Sequence, residues 1–131
     1  MKNLTATIYL TVAVLFVAAM VTANSAANAE PIYHEINYPE GNGPFPVVIA
    51  LHTSGGFKSV KRQISKYKNA GYVVYAPDFF RRHGITHSNR FETWTTYRTA
   101  IEAELLELIE VIKKNPKADK NTFRVISSHS L

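Results

Sequence analysis

Short apolar runs alternate with longer amphipathic segments along most of the chain. Residues 46–51 (PVVIAL) and 72–76 (YVVYA) are continuous apolar runs, typical of strands buried on both faces of a parallel sheet. A third run starts at residues 123–126 (FRVI). Residues 32–38 alternate imperfectly between apolar and polar, which predicts an edge strand.

Two segments between these runs repeat their apolar residues at helical spacing. The first covers residues 59–70, and Gly71 stands where a glycine often ends a helix. The second begins at a cap residue, Asn89, and Asn115-Pro116 ends it. Its apolar stripe consists of Trp94, Tyr97, Ile101, Leu105, Leu108 and Ile112. We therefore expect one long amphipathic helix before the third strand.

The resulting order is strand, helix, strand, helix, strand, which predicts an α/β fold. Right-handed crossovers would make these strands parallel, with the helices packed outside the sheet. Functional sites in such sheets form at the carboxyl ends of the strands. Three segments follow strand ends, namely residues 52–57, 78–87 and 127–131.

The first 29 residues have the three parts of a secretory signal peptide. Lys2 supplies the positive start, an apolar run extends from Ile8 to Val21, and Ala27-Asn28-Ala29 forms an A-x-A cleavage pattern. The alternative is an uncleaved membrane anchor, but the run is shorter than the ~20 residues needed to cross a bilayer. We expect cleavage before Glu30, a periplasmic or secreted product without a stable membrane anchor, and a mature domain of residues 30–131.

Composition narrows the possible functions. The chain has 131 residues and no cysteine, which excludes disulfides and thiolate metal sites. Its 15 Lys and Arg outnumber 10 Asp and Glu, but they are scattered and form no basic stripe of the kind that binds nucleic acid. His83 and His87 have a helical metal-ligand spacing, yet Gly84 separates them and no third ligand is evident, so a solvated loop is favoured.

The best chemical candidate is a nucleophile elbow at the end of the third strand. Ser128-His129-Ser130-Leu131 stands where the G-x-S-x-G turn of a hydrolase would follow a strand. The loop after an earlier strand, residues 52–57 (HTSGGF), would supply oxyanion-binding N–H groups through its paired glycines. Ser130 is then the candidate nucleophile, although a shift of one residue would place His129 there.

Several strings resemble the dienelactone hydrolase family of α/β-hydrolases. Val47–Gly56 (VVIALHTSGG) is similar to the family's oxyanion-loop strand, and Gly71–Phe79 (GYVVYAPDF) is similar to its next strand. Arg81–Gly84 resembles the loop that follows, and the amphipathic helix and the Phe123 strand come in the family's order. The similarity covers about residues 44–126, so the resemblance implies a partial α/β-hydrolase fold whose C-terminal half is missing.

The resemblance also implies a reaction and a set of site residues. The complete protein would cleave a small-molecule ester or lactone with a serine nucleophile and without a cofactor or metal. Ser130 would be catalytic, and the oxyanion or substrate would be bound by His52, Thr53, Ser54, Gly55, Gly56 and Leu131. The catalytic histidine and acid would come from later segments, so we expect this chain to be inactive by itself.

Other interpretations remain open. Ser128 stands where the family has a glycine, and the family's acid and histidine would come from later segments; together these departures favour a truncated, fragmentary or frame-shifted product without a specific function. His52 is expected to orient its loop, Asp78 to cap a turn or helix, and Trp94 and Tyr97 to pack in the core. A flavodoxin-like module that binds phosphate at Gly55-Gly56 is weaker, because no G-x-G-x-x-G or Walker pattern occurs.

Overall fold

The computed structural model describes residues 34–128, except for the side chains of residues 93 and 94. These residues belong to one compact unit. The predicted signal peptide, the start of the predicted edge strand, and His129, Ser130 and Leu131 lie outside the described residues.

A four-stranded sheet forms the centre of the described region. Its strands are β1 (His34–Asn37), β2 (Phe45–Leu51), β3 (Val73–Pro77) and β4 (Ala118–Ser127). The order across the sheet is β1-β3-β2-β4. Strand β2 runs parallel to β3 and β4, whereas β1 pairs antiparallel with β3. The predicted α/β fold with a parallel core is therefore confirmed.

The helices come in the order predicted from the sequence, with two corrections. They are α1 (Lys61–Asn69), α2 (Phe79–His83), α3 (Thr93–Thr96) and α4 (Arg98–Lys114), with 3-10 turns at Phe57–Val60 and Arg90–Glu92. The single long helix predicted from Asn89 is wrong, because the helix is interrupted at Tyr97 (φ −110°, ψ 0°). The predicted loop after β3 begins instead with the short helix α2.

Local capping explains how α1 and α2 begin or end. Gly71 follows the last turn of α1 with φ +89°, and its N–H donates to the Lys68 carbonyl at 3.0 Å, so the predicted glycine stop is confirmed. Asp78 Oδ1 accepts the Arg81 N–H at 3.2 Å and caps α2. The predicted capping role of Asp78 is confirmed as well.

Strand β2 contributes to a hydrophobic core on each face of the sheet. Val47 and Ile49 pack in a cluster that includes Leu108 and Ile112 of α4. Val48 and Ala50 belong to the opposite cluster, formed with Val60, Ile64, Val74 and Ala76. Because successive side chains of a strand point to opposite faces, burial on both sides accounts for the continuous apolar run.

Candidate functional site

The parallel arrangement brings the three strand-end segments to one edge of the sheet. Leu51 at the end of β2 is the register partner of Ser127 at the end of β4. Strand β3 runs in the same direction on the other side of β2 and leads into α2. The candidate oxyanion loop after β2 therefore lies between the start of α2 and the end of β4.

This loop is a tight turn held by hydrogen bonds around Gly56. The Gly56 N–H donates to the Thr53 carbonyl at 2.8 Å, and the Gly56 carbonyl accepts the Ser59 N–H at 2.9 Å and the Ser59 hydroxyl at 2.8 Å. Gly56 has φ +71°, and a Cβ there would lie 3.3 Å from Cδ2 of Phe80. A side chain would strain the backbone and crowd α2, so the turn requires glycine at this position.

His52 is buried, with its side chain 2% exposed, and both of its ring nitrogens have partners. Nε2 accepts the Phe79 N–H at 3.2 Å, and Nδ1 lies 3.0 Å from the Thr53 carbonyl. Since a carbonyl oxygen only accepts, we assign the ring proton to Nδ1. The Asp78 carboxylate, 3.6 Å from Nε2, is beyond hydrogen-bond distance. These contacts tie the loop to α2 and leave His52 no free nitrogen to act as a base.

The N–H groups proposed as oxyanion donors differ in whether they already make a hydrogen bond. The Thr53 N–H makes a long hydrogen bond of 3.4 Å to the Ser59 hydroxyl. Within residues 34–128, no hydrogen bond engages the Ser54 N–H, and Ser54 and Gly55 are exposed to solvent. Binding of an oxyanion by Thr53, Ser54, Gly55 and Gly56, and any contact of His52 with substrate, stay predictions.

Ser128 connects the end of β4 to this loop. Its hydroxyl donates to Thr53 Oγ1 at 2.9 Å, and its carbonyl accepts from Nε2 of Gln63 at 3.1 Å. Gln63 is a helical residue only 6% exposed. Ser128 is thus anchored through both its side chain and its backbone.

Sequence reasoning did not identify Gln63, although a signal was present. Gln63 stands three residues after Val60, so it lies on the apolar face of α1 where a buried side chain is expected. A polar residue in such a position needs a hydrogen-bond partner. The candidate nucleophile Ser130, the alternative His129 and the candidate Leu131 lie outside the described residues.

A cleft of about 480 Å³ opens beside the loop. Its walls include Thr53 and Ser54 of the loop, Phe79 and Phe80 of α2, and Ile101 and Leu105 of α4, among others. The volume lies within the range of small-molecule sites, roughly 300–1,000 Å³. The candidate oxyanion loop is therefore exposed to a space large enough for a small ligand.

A buried carboxylate next to the cleft joins α2 to α4. Glu104 Oε1 lies 3.1 Å from Nε of Arg82 and 2.9 Å from Nε2 of His83, and the Glu104 side chain is 5% exposed. The His83 ring stacks against Tyr97 at 4.8 Å between centroids. Sequence reasoning treated His83 as a solvated loop residue, which is wrong because it packs on α4. Within residues 34–128, no cluster of three metal-ligand side chains occurs.

No helix among residues 34–128 is long and apolar enough to cross a membrane.

Comparison with known proteins is consistent across sequence and structure. The sequence profile of the dienelactone hydrolase family matches residues 34–126. One similar crystal structure is that of a protein from Klebsiella pneumoniae subsp. pneumoniae MGH 78578, provisionally designated a dienelactone hydrolase. Its TM-score is 0.64 and its sequence identity 16%, and the match covers 76% of this chain and 45% of that chain. A structure described as m3DLH has a TM-score of 0.56 and 17% identity over 72% of this chain and 42% of that chain.

At such identities the two structures establish similarity of fold. The matched region spans less than half the length of either structure. No curated protein matches the sequence of this chain.

Proposed function

Because the chain belongs to the dienelactone hydrolase family, we propose that it carries the oxyanion loop and the nucleophile of a serine hydrolase that cleaves esters or lactones. One observation carries the proposal. Strand β2 pairs with β4 in parallel, and the Ser128 hydroxyl bonds Thr53 at 2.9 Å. The candidate nucleophile Ser130 follows Ser128 by two residues, so it is close in sequence to the residue that contacts the loop.

The reaction would proceed in two steps through an acyl-enzyme. The Ser130 hydroxyl attacks the ester carbonyl, loses its proton to a histidine base, and forms a new C–O bond while the alcohol leaves with that proton. Water then cleaves the acyl-enzyme by the reverse proton transfers. The N–H groups of Ser54 and Leu131 would bind the negative oxygen, which is usually the largest electrostatic contribution.

The proposal includes inactivity of this chain by itself. His52, the first residue of the candidate oxyanion loop, has both ring nitrogens engaged and is not available as the base. The solved relatives are more than twice as long as the region matched here. We propose that the base and its acid partner belong to a segment equivalent to the remainder of those relatives.

The test joins the chain to the C-terminal half of a close full-length family member. The chain alone should hydrolyse p-nitrophenyl acetate at the background rate, and Ser130→Ala should change nothing. The fusion should be active, and a fluorophosphonate probe should label it at Ser130, as located by mass spectrometry. Labelling at His129, or activity of the fusion that survives Ser130→Ala, would contradict the assignment of the nucleophile.

An alternative is that the chain is a truncated or frame-shifted product without a specific function. The observation in its favour is that the matched region spans less than half of each solved relative. An inactive fusion that folds cooperatively and remains unlabelled by the probe would support this alternative.

A further inference from the structure

The walls of the cleft beside the oxyanion loop are largely apolar and partly aromatic. Leu51 at the end of β2, Phe79 and Phe80 on α2, and Ile101 and Leu105 on α4 border the space of about 480 Å³. Aromatic rings bind flat apolar groups by stacking and by edge contacts, with ring centroids about 4.5–7 Å apart. The interior therefore matches an aromatic group better than a polar one.

Phe91 is exposed at the rim of this cleft. It is 70% exposed, and the guanidinium of Arg90 lies over its ring at 4.5 Å from the centroid. A ligand in the cleft would remove part of this phenyl surface from water, which is favourable in proportion to the apolar area buried. The position of Phe91 thus favours an occupant that reaches the rim.

The charged side chains of the cleft already have partners. Arg98 Nε donates to Glu102 at 2.9 Å, and this carboxylate raises the pKa of the guanidinium. Arg90 stacks on Phe91 and donates to the His87 carbonyl. The wall residues Leu51, Phe79, Phe80, Ile101 and Leu105 are apolar, so a carboxylate placed among them would lose its hydration without compensation. An uncharged occupant is favoured.

The geometry points to a binding site for the neutral aromatic part of an ester, with Phe91 covering that group at the rim. This inference rests on the proposed function, because the ester bound there would be the substrate. It adds the substrate class, which is an aryl or arylalkyl ester rather than a substrate that carries a carboxylate.

The test measures binding to the full chain without requiring catalysis. The probe is 2-methoxynaphthalene, a neutral ether that a hydrolase does not cleave, and its fluorescence anisotropy reports binding. The anionic comparison ligand is 2-naphthoate. We expect the ether to bind at least about tenfold more tightly than the anion, since the two arginines of the cleft already have partners and its other walls are mostly apolar. Equal or tighter binding of 2-naphthoate would overturn the inference.

Variants locate the site. Phe91→Ala should weaken binding of the ether about fivefold to tenfold through loss of the aromatic contact. Leu105→Trp should abolish binding by filling the cleft. Phe123→Ala, which removes a 37% exposed phenyl outside the cleft, is the matched control and should change nothing. An equal effect of Phe91→Ala and Phe123→Ala would overturn the site, as would failure of the ether to bind.

The outcome of the binding test is independent of the outcome of the catalytic test. Binding of the ether with the expected variant effects supports the aromatic site even where the fusion protein shows no esterase activity. An active fusion whose parent chain prefers the anion would retain the proposed hydrolysis and reject the aromatic site.

Discussion

At the scale of single residues, Ser128 connects the end of β4 to the candidate oxyanion loop. Its hydroxyl bonds Thr53 at 2.9 Å. The buried Gln63 amide fixes the Ser128 carbonyl at 3.1 Å. Ser128 is thus held through both its side chain and its backbone.

This contact predicts coupling between Ser128 and Thr53. Ser128→Ala and Thr53→Val should each lower the free energy of unfolding by about 1 kcal/mol, because each leaves a partly buried hydroxyl without its partner. The double variant should cost less than the sum, as measured by urea denaturation. Ser65→Ala, which removes an exposed hydroxyl bonded to the Lys61 carbonyl, is the control and should change stability by less than about 0.5 kcal/mol. Strictly additive costs would contradict the link.

At the scale of elements, a buried ion cluster holds α2 against α4. Glu104 stands on the apolar stripe of α4 between Ile101 and Leu108, where its carboxylate reaches Arg82 and His83. Both helices also contribute walls to the cleft. Their docking therefore affects the shape of the candidate binding site.

Glu104→Gln tests this docking against a neighbour on the same helix. Loss of the buried carboxylate leaves Arg82 without its short ion pair, so we expect a loss of about 3 kcal/mol in the free energy of unfolding. Glu102→Gln makes the same change at the exposed pair with Arg98 and should cost under about 0.5 kcal/mol. Thermal or urea denaturation of both variants gives the comparison, and equal losses would refute the distinct role of Glu104.

The start of β4 has a carboxylate that responds to pH. The Asn121 N–H at 2.9 Å and the Thr122 hydroxyl at 2.7 Å bond Asp119 and hold its pKa below the ordinary value of 3.8. Folding thus favours the ionised form, so this stabilisation is complete above the ordinary pKa and is lost as the pH falls through the lowered pKa of the folded state.

Between about pH 4 and pH 2 the wild type should therefore lose more stability than Asp119→Asn, which has no charge to titrate. Thermal denaturation across this range checks the difference. Thr122→Val removes one donor and should reduce the pH dependence, while Thr122→Ser should retain it. Parallel pH profiles of the wild type and Asp119→Asn would show that these two hydrogen bonds do not favour the ionised carboxylate.

At the scale of the whole molecule, the open side of β4 is the main feature. In the part of the chain that the structure describes, β4 pairs with β2 and meets no strand on its other side. Val125 and Phe123 are 63% and 37% exposed along this strand. An unpaired apolar strand edge is a template for pairing with another chain.

We expect the segment Glu30–Leu131 expressed alone to associate through this edge. Sedimentation velocity should show association that rises with concentration, and Val125→Lys should reduce it because charge on an edge disfavours strand pairing. Leu106→Lys alters an aliphatic side chain of similar exposure, 66%, on α4 and should not reduce association. A monomeric profile with a sharp cooperative melt would contradict this prediction, and fusion to the C-terminal half of a relative should improve solubility.

Export is the remaining prediction at this scale. The charged start, apolar run and A-x-A pattern predict that the exported protein begins at Glu30. N-terminal mass spectrometry of the extracytoplasmic fraction checks it, and Ala29→Lys should block cleavage because the site requires a small residue. Recovery of a membrane-bound chain that still begins at Met1 would instead support the anchor interpretation.

The sequence by itself determined the alternation of strands and helices, since burial on both faces requires continuous apolar runs and a helix on the sheet requires a 3.6-residue repeat. The runs at Val47 and Val73 and the glycine after α1 express these local requirements directly. By contrast, β4 begins at Ala118 rather than near Phe123, because Ala118 pairs with Phe45 of β2, although the ladder is irregular between Ala118 and Phe123. Only the tertiary structure decided such pairings.

The same division holds for the candidate site. The order of the segments predicted where the candidate oxyanion loop lies, because parallel strands bring their carboxyl ends to one edge. The Ser128–Thr53 bond, the Arg82–Glu104 pair and the bond between Phe79 and His52 join residues 22 to 75 positions apart in the chain. A local sequence pattern does not indicate which distant group will hydrogen-bond a buried polar atom. Those partners are determined only when the elements pack, because each buried donor or acceptor then needs a hydrogen bond.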